Sequence, residues 1–229
     1  MGVGEVVEVY IAYSEGVMKR AVMWLGLSAL LAAPAAAQWL GEPVWNSPKG
    51  GTGVTISGDY AKPNTDYGKG NTWGGRASLG LSTITLTAGV ASWKPEGFTQ
   101  SLTSVGGNVA FRLIGGSLLP VAVNMQLGGA STSTSGVSAK ETTLIGAAGI
   151  SVPLPTPGFS VEPYFSPGVR YRNAGAGSST EFGYVFGANL SFGVLGAHVA
   201  YDNERKSGGG NVGVFGVGLH AGLHMPLGM

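Results

Sequence analysis

Thr72-Trp73-Gly74-Gly75-Arg76-Ala77-Ser78-Leu79-Gly80-Leu81 changes character at every residue. Trp73, Gly75, Ala77, Leu79 and Leu81 make one series, and Thr72, Gly74, Arg76, Ser78 and Gly80 make the other. A period of two is the signature of a β-strand with two unlike faces. Gly51–Tyr60 repeats the pattern: Thr52, Val54, Ile56, Gly58 and Tyr60 alternate with Gly53, Thr55, Ser57 and Asp59. One face is apolar, and the other is small or polar.

Outward from this pair, the alternation predicts ten strands, at about 52–61, 71–81, 84–93, 103–114, 120–130, 140–152, 159–172, 180–192, 194–202 and 211–227. Polar Gly/Ser-rich connections at 62–70, 94–102, 131–139, 173–179 and 203–210 alternate with shorter ones at 82–83, 115–119, 153–158 and 193. Alternating long and short loops are what an antiparallel up-and-down barrel needs when its two ends face different environments. The expected fold is therefore an all-β, transmembrane antiparallel β-barrel of about ten strands, with eight or twelve as the alternatives.

Composition narrows the solvent. The 229 residues include 41 Gly, 12 Pro and no Cys, with 11% charged and 44% hydrophobic residues. Soluble domains average about 7% Gly and about 25% charged residues. Disorder requires low hydrophobicity with high charge, and the glycines lack the three-residue period of collagen. A net charge of +1 carries no basic stripe of the kind nucleic-acid binding uses. The charges Asp59, Arg76, Arg112, Glu141, Glu162, Arg170, Arg172, Glu181 and Asp202 fall on the phase opposite the bulky apolar residues. So few charges could not solubilise a barrel exterior, but a lumen accommodates them. Apolar outside and polar inside is the polarity of a membrane barrel.

The phase places Tyr60, Trp73, Tyr171, Phe182, Tyr184, Tyr201 and Phe215 on the apolar face near the long-loop ends, as an interfacial aromatic girdle. Phe111, Phe159 and Phe192 form a thinner counterpart at the other end. Arg76, Arg112, Glu162, Arg170, Arg172 and Glu181 are expected to form a lumen charge network, because opposite charges in a confined space pair to offset desolvation.

The N-terminal region reads as export. Met18, Lys19 and Arg20 precede the apolar stretch Ala21–Ala33, and small residues lead to Ala37. This is a secretory signal peptide over 18–37 with cleavage near Ala37. Residues 1–17 then read as a mis-annotated extension, residues 38–50 as a periplasmic lead-in broken by Pro43 and Pro48, and 51–229 as the barrel.

Over about 51–229 the chain resembles the small bacterial outer-membrane β-barrel superfamily, which includes opacity-type and porin-like single-domain barrels. The last strand carries the resemblance: Phe215, Val217, Leu219, Ala221, Leu223, Met225, Leu227 and Met229 alternate to the end. The family's usual final Phe or Trp is here Met229. The resemblance implies residence in the outer membrane of a diderm bacterium, lipid as the outer partner and engagement of barrel-assembly machinery by the C-terminal strand. It also implies short turns and both termini in the periplasm.

No catalytic or cofactor motif emerges. Barrel lipid hydrolases pair a His with a Ser two residues on, but His198 is followed by Ala200 at that place. His220 and His224 on one strand would stand about 13 Å apart, too far to share a metal. The expectation is a non-enzymatic outer-membrane barrel without cofactor, metal or nucleic acid, acting through its loops or as a narrow solute path. The alternatives are an outer-membrane enzyme on lipid or peptide and a secreted soluble barrel carrying an apolar ligand.

Overall fold

The computed structural model describes residues 39–115, 119–134, 137–174, 177–206 and 209–223. The extension 1–17, the signal peptide 18–37 and the end of the last predicted strand, with His224 and Met229, lie outside the described residues.

Ten long strands, each of 11–15 residues, form the wall. They are β1 (Thr52–Pro63), β2 (Asn71–Leu81), β3 (Ile84–Lys94), β4 (Leu102–Ile114), β5 (Ala122–Thr134), β6 (Val137–Ser151), β8 (Phe159–Asn173), β9 (Ser178–Phe192), β10 (Leu195–Arg205) and β11 (Asn211–Leu223). A three-residue strand, β7 (Leu154–Thr156), lies beside β8 in the connection from β6. Each long strand pairs antiparallel with its neighbours, β6 continues to β8, and β1 pairs with β11 from Val54↔Leu223 to Pro63↔Val214. The wall is thus a closed ten-stranded barrel. Its strands reach or exceed the roughly 9–11 residues that cross a bilayer.

The two ends carry different turns. Ser82-Thr83 and Gly193-Val194 close two-residue hairpins, with Ser82 (φ 67°) and Gly193 (φ 62°) in the left-handed region such turns use. At the opposite end Asn64–Gly70 carries a 3-10 turn capped by Asn64, whose side chain accepts from the Tyr67 N–H.

The alternation of long and short connections fails at mid-chain, where the seven residues 115–121 between β4 and β5 outnumber the two between β5 and β6 and the four between β8 and β9. The expected loop 131–139 is mostly strand, with Ser131↔Thr142, Thr132↔Glu141 and Ser133↔Lys140 in register. Polarity alone makes the Ser/Thr run look like a loop; its β-branched threonines suit a ladder instead. Pro163 and Pro167 both sit inside β8. The β6–β8 ladder lapses between Ala147↔Gly168 and Ile150↔Phe165, opposite Pro167, which has no N–H to donate.

The barrel is inside out relative to a soluble protein. Ile56, Leu127, Leu219 and Leu223 are 60–70% exposed on the outer wall, whereas Glu162 and Arg170 are 1% exposed within. Tyr60, Trp73, Tyr171, Phe182, Tyr184, Tyr201 and Phe215 all stand on the outward phase in the half nearer the long loops. Tyr60 and Trp73 stack at 4.7 Å across the β1–β2 ladder, and Phe159 and Phe192 at 5.9 Å near the short turns.

One expectation is overturned outright. Residues 39–50 are not a lead-in outside the barrel. Trp39, Leu40, Glu42, Val44, Trp45, Asn46 and Pro48 are buried, and their partners are lumen-facing residues of the wall. The segment starts beside Ser104 and Tyr67 at the long-loop end and reaches Glu162 and Arg112 at the short-turn end. The even strand number does place the start of β1 and the described end of β11 at the short-turn end. The chain ahead of β1, however, turns back through the lumen. Bulky Trp45 and the paired Asn46 fill space that the small lumen side chains leave open.

Candidate functional site

The lumen and its occupant are the only place among the described residues where many polar and charged side chains converge. The wall makes room with glycine. An added Cβ at Gly74 would overlap the Glu42 carboxylate, and one at Gly216 would lie 2.7 Å from the Pro43 ring and 2.9 Å from the Trp45 indole. Both are too close for real atoms, so these glycines are required by the plug rather than by the strand.

At the long-loop end the Leu40 N–H donates to Ser104 Oγ at 3.1 Å, and Ser104 in turn meets Thr132 Oγ1 at 2.7 Å. The Gly41 N–H reaches the Tyr67 hydroxyl at 3.4 Å. Burial pushes the Tyr67 phenol up to about 12, so it serves as a neutral acceptor. Tyr67 stacks on Trp93 at 5.0 Å, and the Trp93 indole N–H donates to the Lys69 carbonyl.

Mid-lumen, the Val44 N–H donates to Asp202 Oδ2 at 2.9 Å, and the other oxygen of Asp202 accepts from Arg170 at 2.6 Å. Trp45 donates through Nε1 to Glu42 Oε2 at 3.2 Å. Its ring lies under the Arg76 guanidinium at 4.8 Å and meets the His198 ring edge-on at 4.6 Å. Arg76 grips Asp59 with two bonds of 2.9 and 3.2 Å, and His198 Nε2 lies 2.5 Å from Asp59 Oδ1. His198 Nδ1 is 3.2 Å from His220 Nδ1. The Arg76 guanidinium also lies 2.9 Å from His198 Nε2, so this nitrogen sits between an acidic acceptor and a cationic donor.

At the short-turn end Asn46 and Asn124 exchange two amide bonds of 3.1 and 2.8 Å, and Asn46 also donates to Ser166. Glu162 accepts from four donors: Lys49 N–H at 2.8 Å, Ser151 at 2.8 Å, Ser47 at 3.0 Å and Asn189 at 3.3 Å. Arg112 donates to the Lys49 carbonyl at 2.6 Å.

Most of the wall's charges find their partners outside the six residues expected to form one network. Arg112 and Glu162 both bind the plug rather than each other. Arg76 pairs with Asp59. Arg170 pairs with Asp202 and, at 3.6 Å, with Glu204; Arg172 is held by both oxygens of Glu204 and lies 3.7 Å from Glu141. Glu181 stands directly across the β8–β9 ladder from Arg170. Glu204 lies two residues past the expected strand end at 202, on the inward phase that continues from Asp202 because β10 runs to Arg205.

The plug divides the lumen. Toward the short turns is a cavity of about 510 Å³, lined by Trp45, Ser57, Arg76, Asn108, Glu162 and His220 among others. Toward the long loops is a vestibule of about 420 Å³ with Leu40 in its lining, beside Tyr67, Trp93, Arg172 and Glu204. Among the described residues, no group of three or more His, Cys, Asp or Glu is placed to hold a metal.

A closed barrel of transmembrane strands, apolar outside and charged within, is a small outer-membrane-type β-barrel. No protein-family model matches the sequence, and no curated protein matches it. Solved structures similar in fold include a bacterial polysaccharide outer membrane secretin (13% identity, TM-score 0.45), of which the chain covers 66% with 75% of its own length. Neisserial surface protein A shares 12% identity at TM-score 0.35, covering 74% of this chain and 96% of that one. The outer membrane protease OmpT from Escherichia coli shares 8% at TM-score 0.35, covering 75% and 94%.

Proposed function

We propose that the chain is a non-enzymatic outer-membrane barrel, closed by its own N-terminal segment and acting at the cell surface through its long-loop face. The observation that carries this reading is the passage of Trp39–Lys49 through the lumen, with Trp45 packed between Arg76 and His198. Of the two non-enzymatic roles the sequence allows, a surface scaffold and a narrow solute path, the plug favours the scaffold. The two cavities lie on opposite sides of a packed layer and of the Arg170–Asp202 pair. In this reading lipid covers the outer wall, the outward rings anchor the barrel at the interface, and the last strand is the segment that barrel-assembly machinery engages.

The enzymatic alternative has little support in the geometry. His198 is 4% exposed beneath Trp45, and both its ring nitrogens are engaged within the wall. A general base must reach a substrate proton, and this one turns only a small part of its surface to the lower cavity. The soluble-barrel alternative conflicts with the outward leucines and inward charges.

Planar-bilayer recording on the purified full chain tests closure. The expected result is the absence of stepwise current; resolved single-channel steps would overturn the closed reading. Fractionation tests location, where recovery from the periplasm without detergent contradicts the membrane assignment.

A further inference from the structure

Charge on the outer wall is confined to one sign and one rim. Among the described residues of the ten long strands, the outward phase carries Lys62, Lys94, Lys140 and Arg205 and no acid. All four lie toward the long-loop ends of β1, β3, β6 and β10, and all are exposed. A charge facing lipid is costly at mid-bilayer and tolerated near the interface, which accounts for the height of these residues. It accounts neither for their common sign nor for the lack of outward charge at the short-turn rim.

Two of the four share a site. Lys94 stands directly across the β2–β3 ladder from Asn71. On β1, Lys62 follows the last ladder pair, Ala61↔Thr72, and so flanks Asn71 from the other side. The two lysine Cα atoms are two strand spacings apart, about 10 Å, a gap that two flexible side chains can close onto one anion. Asn71 Oδ1 accepts from the Tyr60 hydroxyl at 2.7 Å, which leaves the Asn71 amide nitrogen to donate outward. Neither lysine has an acidic partner among the described residues, and Glu96, the acid nearest Lys94 in sequence, is engaged by Lys69 at 3.5 Å. Two residues lower on their strands, the Tyr60 and Trp73 rings lie 4.7 Å apart, and Trp73 is 65% exposed. Below the rings, exposed Ile56 and Val90 continue the strip as apolar wall.

We propose that the β1–β3 strip binds an anionic, phosphate-bearing lipid of the leaflet on the long-loop side. Lys62, Asn71 and Lys94 hold the headgroup phosphate, and the acyl chain lies along Trp73 and Val90. Basic side chains at a bilayer surface attract anionic headgroups, and Lys reaches them by laying its apolar stem along the wall. The aromatic step and apolar strip directly beneath the cations favour a lipid over a free phosphate. The site rests on the membrane reading above and adds to it a lipid class and a position.

Trp73 reports on the site directly, because the other described tryptophans, Trp39, Trp45 and Trp93, are buried. The full chain is folded in phosphatidylcholine vesicles that contain a fixed minor fraction of lipid with brominated acyl chains. The brominated lipid is either phosphatidylglycerol, which is anionic, or phosphatidylcholine, which is not. Quenching at Trp73 is the part of the signal lost in Trp73→Phe. Brominated phosphatidylglycerol should occupy the strip with about fivefold or greater preference, the order that one lysine near an anionic surface supplies. Lys62→Gln combined with Lys94→Gln should bring the two lipids level. Lys140→Gln, on β6 and four strands from β2 in the sheet order, should leave the preference unchanged. Equal quenching by the two lipids in the parent, or a preference that survives the double substitution, overturns the proposal. A preference lost to the same extent in Lys140→Gln means diffuse surface charge rather than a site, and overturns it as well. Failure of both brominated lipids to quench Trp73 at all would instead take the outer wall out of lipid and refute the membrane reading itself.

Discussion

Replacing Glu162 with alanine should loosen the plug at its lower anchor. Glu162 is 1% exposed and accepts four hydrogen bonds, two of them from the plug: the Lys49 N–H at 2.8 Å and the Ser47 hydroxyl at 3.0 Å. A hydrogen bond to a charged acceptor contributes about 1.5–3 kcal/mol net, and a buried donor left without an acceptor costs about 1–3 kcal/mol. The Ser47 hydroxyl borders the lower cavity and can turn to water there, so its loss counts for little. The Lys49 N–H cannot turn, and Asn189 retains only its bond to the Asn46 carbonyl. The expected cost of Glu162→Ala is therefore about 3 kcal/mol, equivalent to roughly 10²-fold in the folding equilibrium. Glu162→Gln keeps one acceptor oxygen for Lys49 and Ser151, and its amide can donate to Ser47, so it should cost about half as much. The assay is urea unfolding of the refolded barrel in lipid vesicles, with Glu96→Ala as the reference. Glu96 meets Lys69 at 3.5 Å on the loop surface, where such pairs contribute about 0–1 kcal/mol. An alanine variant within about 0.5 kcal/mol of the parent, the range of a neutral surface change, or a glutamine variant as damaging as alanine, would refute the role given to the carboxylate.

Three further outcomes follow from the same geometry. Gly216→Ala places a Cβ against Pro43 and Trp45 and should cost about 1–3 kcal/mol by overpacking, whereas Gly58→Ala, which meets open space on the outer wall, should be nearly neutral; thermal unfolding in detergent compares them. Arg170→Met leaves buried Asp202 without its cation and should cost about 3–5 kcal/mol in urea. Leu127→Arg puts a charge on a residue 60% exposed on the outward face; in vesicles it should cost about 2–4 kcal/mol near mid-bilayer, whereas in a soluble barrel the same change would be neutral.

The wall was legible because it repeats. Trp73 to Leu81 and Val54 to Tyr60 declare their two faces within a few residues, and the same phase sorts Arg170 and Glu162 inward without knowledge of their partners. What the phase cannot give is who meets whom across the lumen. Val44 and Asp202 are 158 residues apart in sequence, and no local period links them. The plug is not legible in sequence because Gln38–Gly50 has two prolines and no alternation, which is how a free linker also looks. Its burial follows from complementarity with Gly74 and Gly216, and those glycines read in sequence only as small lumen residues. Polar strands were a second blind spot: Ser131–Ser133 lies beyond the apolar belt, where a ladder needs no hydrophobic face.

Hydrogen exchange on the unmodified chain, folded in lipid, tests the central claim most directly. The amides of Leu40, Val44 and Lys49 donate to Ser104, Asp202 and Glu162 inside the lumen. They should therefore exchange as slowly as amides of the β1–β11 seam, and far more slowly than Gly97 in the β3–β4 loop. Exchange of all three at the rate of Gly97 would mean that the segment lies outside the barrel, and that the lumen is not closed by the chain's own N-terminal segment.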